Sequence, residues 1–268
     1  MLDVVYGHAT DPGKLRKLNE DASAAFIPKS RQEARERGWM FVVADGVGGL
    51  NLGEVAAART VQTIAKGFAL APPGTSPENL LRQLIQRANS AVRDEELKPG
   101  RRGKKMASTV VSCALRFDTA YVAHVGDSRC YHVRNGKASR LTQDHTVVNQ
   151  QQQLGLITEE DAARSEIRHV LTRSLGPEEF VAVQTVVLTL RAEDRLVLCS
   201  DGVSNNMSEE DIARCVLQEK HVQHIAEELV ARAVDVDGTD NATAQVIFVR
   251  SVESVAMYRG RPYRIPGI

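Results

Sequence analysis

The sequence has only four cysteines, Cys113, Cys130, Cys199 and Cys215, and no two of them form a C-x-x-C pair. That spacing disfavours a zinc knuckle or a redox dithiol and leaves reduced, buried thiols as the simpler reading. Three fall in apolar strand-like runs and one in a helix-like run. Net charge is also missing. The 34 Lys and Arg balance 34 Asp and Glu, so the global balance gives no pull toward nucleic acid or an anionic membrane. No apolar run approaches the length of a bilayer span. The first residues, Met1-Leu2-Asp3-Val4-Val5-Tyr6, lack a basic segment followed by a long apolar one, so a cytoplasmic protein without a secretory leader is expected. Internal repeats and low-complexity tracts are absent. What is present is ordinary for a soluble globular protein, with 43% hydrophobic and 25% charged residues. A chain of 268 residues can bury a sizeable core without staples.

Strict alternation of strand and helix is absent too, which disfavours a doubly wound parallel sheet. Strands are expected over Val4–Thr10, Ala22–Ile27 and Trp39–Ala44, with an exposed connection at Pro28–Gly38. Two amphipathic helices follow. One runs over Glu54–Leu70, and the other starts after Ser76-Pro77, which resembles an N-cap with proline at the first helical position. The basic, glycine-rich run Lys98–Lys105 reads as a solvated loop, with attraction of an acidic substrate or phosphate as the functional alternative. β-formers dominate Thr109–Phe117, Ala120–Val125 and Cys130–Arg134, where Asn135-Gly136 signals a hairpin and Leu141–His145 closes the set. Residues Thr146–Leu175 read as a polar, helical excursion over the surface. Strands return at Phe180–Leu190 and Arg195–Ser200, then helices at Ser208-x-x-Asp211 and Val222–Val234, then a strand at Ala244–Val249. The expected fold is α+β, a central antiparallel β-sandwich with helix pairs on both sides. It forms one domain over 1–255, followed by an irregular tail over 256–268 that carries Arg259, Arg261 and Arg264.

Aspartates recur at the strand ends. Asp45 follows Trp39–Ala44 in Asp45-Gly46-Val47-Gly48-Gly49, Asp127 lies in Gly126-Asp127-Ser128-Arg129, and Asp201 in Ser200-Asp201-Gly202. Asp240 lies in Gly238-Thr239-Asp240-Asn241, and Asp21 ends Asn19-Glu20-Asp21. Any one of these is also an ordinary turn. Together they could converge at one edge of a sandwich, where packed carboxylates repel and call for protons or cations between them. Ligation by oxygen alone points to Mg²⁺ or Mn²⁺ rather than zinc. Two such ions can activate a shared water, and in-line hydrolysis of a phosphate ester is the natural reaction. The substrate phosphate then needs a cationic clamp, and Arg16, five residues before Asp21, is best placed to supply it.

In this order, Arg16-x-x-Asn19-Glu20-Asp21, Asp45-Gly46-Val47-Gly48-Gly49, Gly126-Asp127-Ser128-Arg129, Ser200-Asp201-Gly202 and Asp240-Asn241 resemble the motifs of the metal-dependent protein Ser/Thr phosphatases (the PPM, or type 2C, family), in a bacterial-type member. The resemblance runs from about Val5 to Val249. It implies a four-layer αββα fold and hydrolysis of phosphoserine and phosphothreonine by a hydroxide bridging two Mn²⁺ or Mg²⁺ ions. By motif match, Asp45 bridges the metals, Gly46 lends its carbonyl, and Asp201 and Asp240 complete one ion. Asp127 shares a third, weaker ion with Asp201, and Asp21 acts in the outer shell through water. Glu54 and Asn241 support the ligands, and Arg16 holds the substrate phosphate. Residues 146–175 correspond to the flap beside the active site.

One position departs from the family pattern. Val47 stands where many eukaryotic members have the histidine assigned as acid to the leaving alkoxide, so a water or another residue must serve. His145 is a conceivable substitute, although a structural role is the simpler reading. No nucleophilic cysteine motif supports a tyrosine-phosphatase route. The implied partners are phosphorylated proteins and an opposing Ser/Thr kinase, with the chain a monomer that binds neither nucleic acid nor membrane. Two alternatives are a catalytically silent phosphoprotein-binding scaffold and a dedicated phosphoserine phosphatase of a sigma-factor switch. The full set of aspartates argues against the first, and the complete Arg16 and Gly126 motifs against the second.

Overall fold

The run Trp39-Met40-Phe41-Val42-Val43-Ala44 shows no polar alternation because the strand it forms is covered on both faces. Trp39, Phe41 and Val43 face an inner cluster with Leu196, Leu198 and Ile247. Met40, Val42 and Ala44 face an outer cluster with Ile64, Phe68, Leu81 and Leu84. This strand, β3 (Trp39–Asp45), belongs to one of two five-stranded antiparallel sheets in a computed structural model that describes residues 2–47, 52–101, 104–218, 221–253, 255–258 and 261–264.

The sheet around β3 has the order β2-β3-β4-β5-β8, from β2 (Asp21–Phe26), β4 (Val110–Arg116), β5 (Thr119–Val125) and β8 (Gln184–Thr189). Its outer face is covered by α2 (Gly53–Leu70) and α3 (Pro77–Glu96). The second sheet has the order β1-β10-β9-β6-β7, from β1 (Asp3–Asp11), β6 (Arg129–Arg134), β7 (Lys137–Arg140), β9 (Arg195–Cys199) and β10 (Ala242–Ser251). Helices α7 (Glu209–Gln218) and α8 (Val222–Val236) pack outside it through Ile212, Val216, Ile225 and Leu229. The layers are therefore helix, sheet, sheet, helix, as the sequence pattern predicts. The four cysteines are free and buried, and burial pushes the Cys199 thiol up to about 12.

Local chemistry explains several boundaries. Asn135 and Gly136 both take positive φ, 52° and 81°, as a two-residue hairpin between twisted strands requires. Ser208 and Asp211 form a reciprocal capping box at the start of α7, with Asp211 N–H on Ser208 Oγ at 3.1 Å. Ser76 precedes Pro77 as expected, but its hydroxyl makes no capping bond.

Four expectations need correction. Pro28–Gly38 contains a short helix, α1 (Arg31–Glu36), which Ser30 caps by accepting from Glu33 N–H. Leu141–His145 is irregular, although the Leu141 N–H still bonds Cys130 at 2.8 Å. The strand expected from Phe180 begins only at Gln184, because the preceding residues serve α3: Asn89 and Gln86 bond the carbonyls of Glu178 and Glu179. The tail is not irregular where it is described. β11 (Val255–Tyr258) pairs with β12 (Arg261–Arg264) as a separate antiparallel ladder, while Arg259 and residues 265–268 lie outside the described residues. The excursion over 146–175 holds two short helices, α4 (Val147–Gln153) and α5 (Glu159–Arg164). Thr158 and Asp161 form a capping box on α5.

Phe41 is fully buried between the sheets. Phe41→Ala should cost about 3–5 kcal/mol in urea unfolding, whereas Val187→Ala, at a side chain 52% exposed, should stay within about 0.5 kcal/mol.

Candidate active site

Antiparallel register brings one set of strand ends together. Asp21, which starts β2, is the direct partner of Asp45, which ends β3. The Asp45 carbonyl accepts from Thr109 N–H at 2.8 Å, and Asp45 N–H donates to Thr109 Oγ1 at 3.1 Å. That places the start of β4 beside them. Val110 pairs with Val125, so β5 ends here and Gly126-Asp127-Ser128 turns the chain into β6, with Ser128 Oγ 2.6 Å from Thr109 Oγ1. In the facing sheet Cys199, the end of β9, pairs with both Arg129 and Ala244. Asp201 and Asp240 therefore lie at the same end of the sandwich. Ser200 ties the two sheets: its Oγ donates to Asp21 Oδ2 at 2.7 Å and accepts from Thr243 N–H at 3.0 Å.

The glycines after Asp45 and Asp201 serve close approach. A Cβ on Gly46 would stand 2.2 Å from the Gly53 carbonyl oxygen, and one on Gly202 would stand 2.1 Å from that of Asn241. Neither residue has positive φ, so neither is there to make a left-handed turn. Gly126, at φ 101°, does need that freedom. Gly48 and Gly49 of the same motif lie outside the described residues. Asp201 opens a one-turn helix, α6 (Asp201–Ser204), which Arg129 fastens by donating to the Ser204 carbonyl at 3.0 Å while it forks onto Asp144 at 2.7–3.1 Å. Burial alone would lower the Arg129 pKa, but the Asp144 hydrogen bonds hold it above its usual value.

Asn241 anchors the N-terminal loop. Its Nδ2 donates to the carbonyls of Pro12 and Leu18 at 2.9 and 3.0 Å, and its Oδ1 accepts from Glu20 N–H at 2.8 Å. Held in this way, the loop presents Arg16 to the acidic cluster. Arg16 Nη2 donates to Asp240 Oδ2 at 3.0 Å, and Nη1 lies 3.8 Å from Glu20 Oε2. Glu54 sits in the first turn of α2, near enough for its charge to raise the Glu20 pKa alongside burial.

The electrostatics are those of crowded carboxylates. Burial pushes Asp21 up to about 7, with added repulsion from Asp201 and Asp240 against hydrogen bonds from Thr243 and Ser200. Burial also raises Asp45, followed by the charges of Asp21, Asp201, Asp127 and Asp240. Asp127 rises through burial and then the charges of Asp201 and Asp144. Burial would raise Asp201 as well, but the His169 ring and the proton on Asp45 hold it below the ordinary range.

The residues fit a pair of hard cations. Asp21 Oδ1 and Asp201 Oδ1 are buried without a hydrogen-bond partner, which is costly for a carboxylate unless a cation or proton meets it. The nearby donors are oxygens, the set that Mg²⁺ and Mn²⁺ take. Among the described residues no three acidic, His or Cys side chains already close round a single point. Ser200 holds one oxygen of Asp21 and Arg16 one of Asp240, and like charges do not close up on their own.

Reading the sequence missed four contributors. Ser200 and Thr109 carry no charge to draw notice, although Ser200 stands inside a quoted motif. Glu20 is part of the Arg16 motif and pairs with the arginine. His169, half-exposed in the 146–175 segment, has Nδ1 3.7 Å from Asp201 Oδ2, and only the fold could reveal that. His145 is engaged elsewhere. Its Nδ1 accepts from Gly126 N–H at 3.0 Å, its Nε2 lies 3.0 Å from Gln184 Oε1, and its ring stacks on His124 at 4.8 Å.

The raised Asp21 pKa carries a pH signature. Between about 4 and 7 the folded chain keeps a proton that the unfolded chain has lost, so this group's contribution to stability falls as pH rises through that window. Asp21→Asn removes the titration. In chelator-treated protein the variant should gain in melting temperature over the parent as pH goes from about 4 to 8, by the equivalent of a few kcal/mol. A pH-independent difference between the two would contradict the assignment.

Residues 17–238 match the family described as Protein phosphatase 2C. The chain is 31% identical over 256 residues to a serine/threonine phosphatase, stp, of Listeria welshimeri, covering 94% of this chain and 96% of the relative. The fold superposes on a serine/threonine phosphatase of S. agalactiae with a TM-score of 0.83 and 30% identity, over 92% of this chain and 100% of that one. It also superposes on the catalytic domain of the phosphatase PstP in complex with two manganese ions, with a TM-score of 0.79 and 30% identity, over 93% and 99% of the two chains. With its motifs gathered at one end of an αββα sandwich, the chain belongs to the protein phosphatase 2C family of metal-dependent protein serine/threonine phosphatases.

Proposed function

We propose that the chain hydrolyses phosphoserine and phosphothreonine in proteins at this end of the sandwich, with Asp45, Gly46, Asp201 and Asp240 holding two Mn²⁺ or Mg²⁺ ions. The observation that carries the site assignment is the pair of buried, unpartnered oxygens on Asp21 and Asp201 among carboxylates that raise one another. Asp45, whose carboxyl is raised by burial and by the charges of four other aspartates, would be shared between the two ions. Asp127 joins Asp201 at a third, weaker position, since the Asp201 charge raises it most after burial. Asp21 acts through water behind them, with Asn241 and Glu54 as supports. The chemistry such ions would supply is activation of water as a nucleophile at neutral pH and neutralisation of phosphoryl charge.

The remaining work falls to the chain's own residues. Arg16 reaches in from the rim with a side chain 37% exposed, so its guanidinium is free to turn from Asp240 onto two oxygens of a substrate phosphate. Asn241 keeps that arginine in range by pinning the loop on either side of it. Ser200 fixes the orientation of Asp21. Val47 has no proton to give, and both ring nitrogens of His145 are occupied by Gly126 and Gln184. Residues 1–255 form one phosphatase domain, and the chain works as a monomer in the cytoplasm, opposing a Ser/Thr kinase in phosphorylation signalling of the bacterial type. Relatives named as serine/threonine phosphatases support phosphoproteins as substrates. No helix among the described residues is long and apolar enough to cross a membrane.

The test is hydrolysis of a phosphothreonine peptide with Mn²⁺, with Mg²⁺ and with EDTA, beside Asp201→Asn. Turnover should need the metal. The substitution should cost more than the roughly 10–100-fold typical of losing an outer-shell partner. Turnover in EDTA, or a folded Asp201→Asn protein with full activity, would refute the assignment.

A further inference from the structure

The outer face of the α2–α3 pair carries a groove that the phosphatase reading does not use. It is open, about 520 Å³ in volume, and lined by Arg59, Lys66 and Arg87 together with Gln62, Thr63 and Leu70. None of its lining residues is acidic. At the floor of the groove Leu84 lies over Gly67, where a Cβ would stand 2.2 Å from Leu84 Cδ2. The long cationic side chains rise on either side of that contact.

The charge in the groove is not neutralised by its surroundings. Lys66 and Arg87 are exposed, and neither makes an ion pair among the described residues. Arg59, at the edge of the groove, pairs with the buried Glu95. That carboxylate already faces three cations: Arg59 at 3.5 Å, Lys98, and Arg101. One negative charge is set against three, so Arg59 links the groove to the basic run that starts at Lys98. The cations that outnumber Glu95 here are Arg59, Lys98 and Arg101, while the neighbouring Glu96 turns away to accept from Met106 N–H at 2.6 Å. Ala107 accepts a hydrogen bond from Val47 N–H, two residues after Asp45.

We infer that this groove docks an acidic segment of the phosphoprotein substrate, remote from the phosphorylated residue. The inference rests on the phosphatase reading for the identity of the partner and on charge complementarity for the occupant. The geometry sets a spacing. Helix α2 starts at Gly53, packed against Gly46 of the active site, and Lys66 lies thirteen residues along it, about 20 Å at 1.5 Å per residue. An extended peptide covers that distance in about six residues. Acidic residues six to ten positions from the phosphothreonine can reach Lys66, and acidic residues two positions away reach neither Lys66 nor Arg59, about 9 Å along the helix.

Two experiments test the inference. In the first, kcat and KM are measured in Mn²⁺ for three phosphothreonine peptides: one with a short tract of consecutive glutamates eight residues from the phosphothreonine, one with the same tract two residues away, and one with serines in its place. The parent and Lys66→Glu/Arg87→Glu are compared, with p-nitrophenyl phosphate as the small substrate. The remote tract should lower KM by roughly fivefold at about 50 mM salt and by little at about 500 mM. The double variant should lose that gain and keep its turnover of p-nitrophenyl phosphate, while Lys66→Arg/Arg87→Lys should keep the gain. No gain from the remote tract, an equal gain from the near tract, or a gain that survives the double reversal would overturn the inference. In the second, fluorescence anisotropy of a labelled octaglutamate peptide needs no turnover. The parent should bind it more tightly than the double variant, and equal binding would overturn the inference. If inorganic tripolyphosphate displaces the peptide at equimolar concentration, the groove is a small-anion site and the peptide assignment fails. Failure of the phosphatase reading looks different: p-nitrophenyl phosphate is then not hydrolysed by any of these proteins, and the anisotropy result stands on its own.

Discussion

Repulsion among aspartates held at one end of the sandwich is the constraint on which the active site depends. The register that pairs Asp21 with Asp45, and Cys199 with both Arg129 and Ala244, leaves the carboxylates no room to separate. Burial makes this worse by removing the water that would otherwise screen them. Such a cluster persists only because the hydrophobic layers above and below fix the strands. The inner cluster holds β3 against β9 and β10, and the outer clusters hold each sheet to its helix pair. Stability from the core therefore holds together an arrangement that is unfavourable by itself, and a pair of divalent cations at the proposed site would relieve it.

Around that cluster the polar framework is almost wholly structural. Arg129 is engaged in a fork on Asp144 and carries the end of the Asp201 helix. His145 holds the Gly126 amide, next to Asp127. Asn241 spans Pro12, Leu18 and Glu20. Each fixes backbone next to a carboxylate and leaves the carboxylate oxygens open. Arg16 differs in being partly exposed at the rim, where a phosphate can reach it.

Much of this was legible in the sequence, for identifiable reasons. A strand covered on both faces, like β3, reads as an unbroken apolar run, and an aspartate at its end followed by glycine is conspicuous. The helix pairs show through their amphipathic spacing. Contacts that depend on the third dimension were not legible. Gly46 and Gly202 resemble turn glycines, yet their role is to let Gly53 and Asn241 come close. Ser200 reaches Asp21 across 179 residues, and His169 reaches Asp201 from the 146–175 segment. The strand expected from Phe180 starts late because α3 captures the carbonyls before it through Asn89 and Gln86, a tertiary demand that local β-propensity does not register.

If cations relieve the repulsion, they must displace the protons that relieve it otherwise. Calorimetric titration of chelator-stripped protein with Mn²⁺ at about pH 6.5, in two buffers of different ionisation enthalpy, measures that exchange. Net release of protons on binding, reduced in Asp45→Asn, is the expected result. Heats independent of the buffer, or no Mn²⁺ binding to the folded chain, would show that the aspartate cluster is not the metal centre described here.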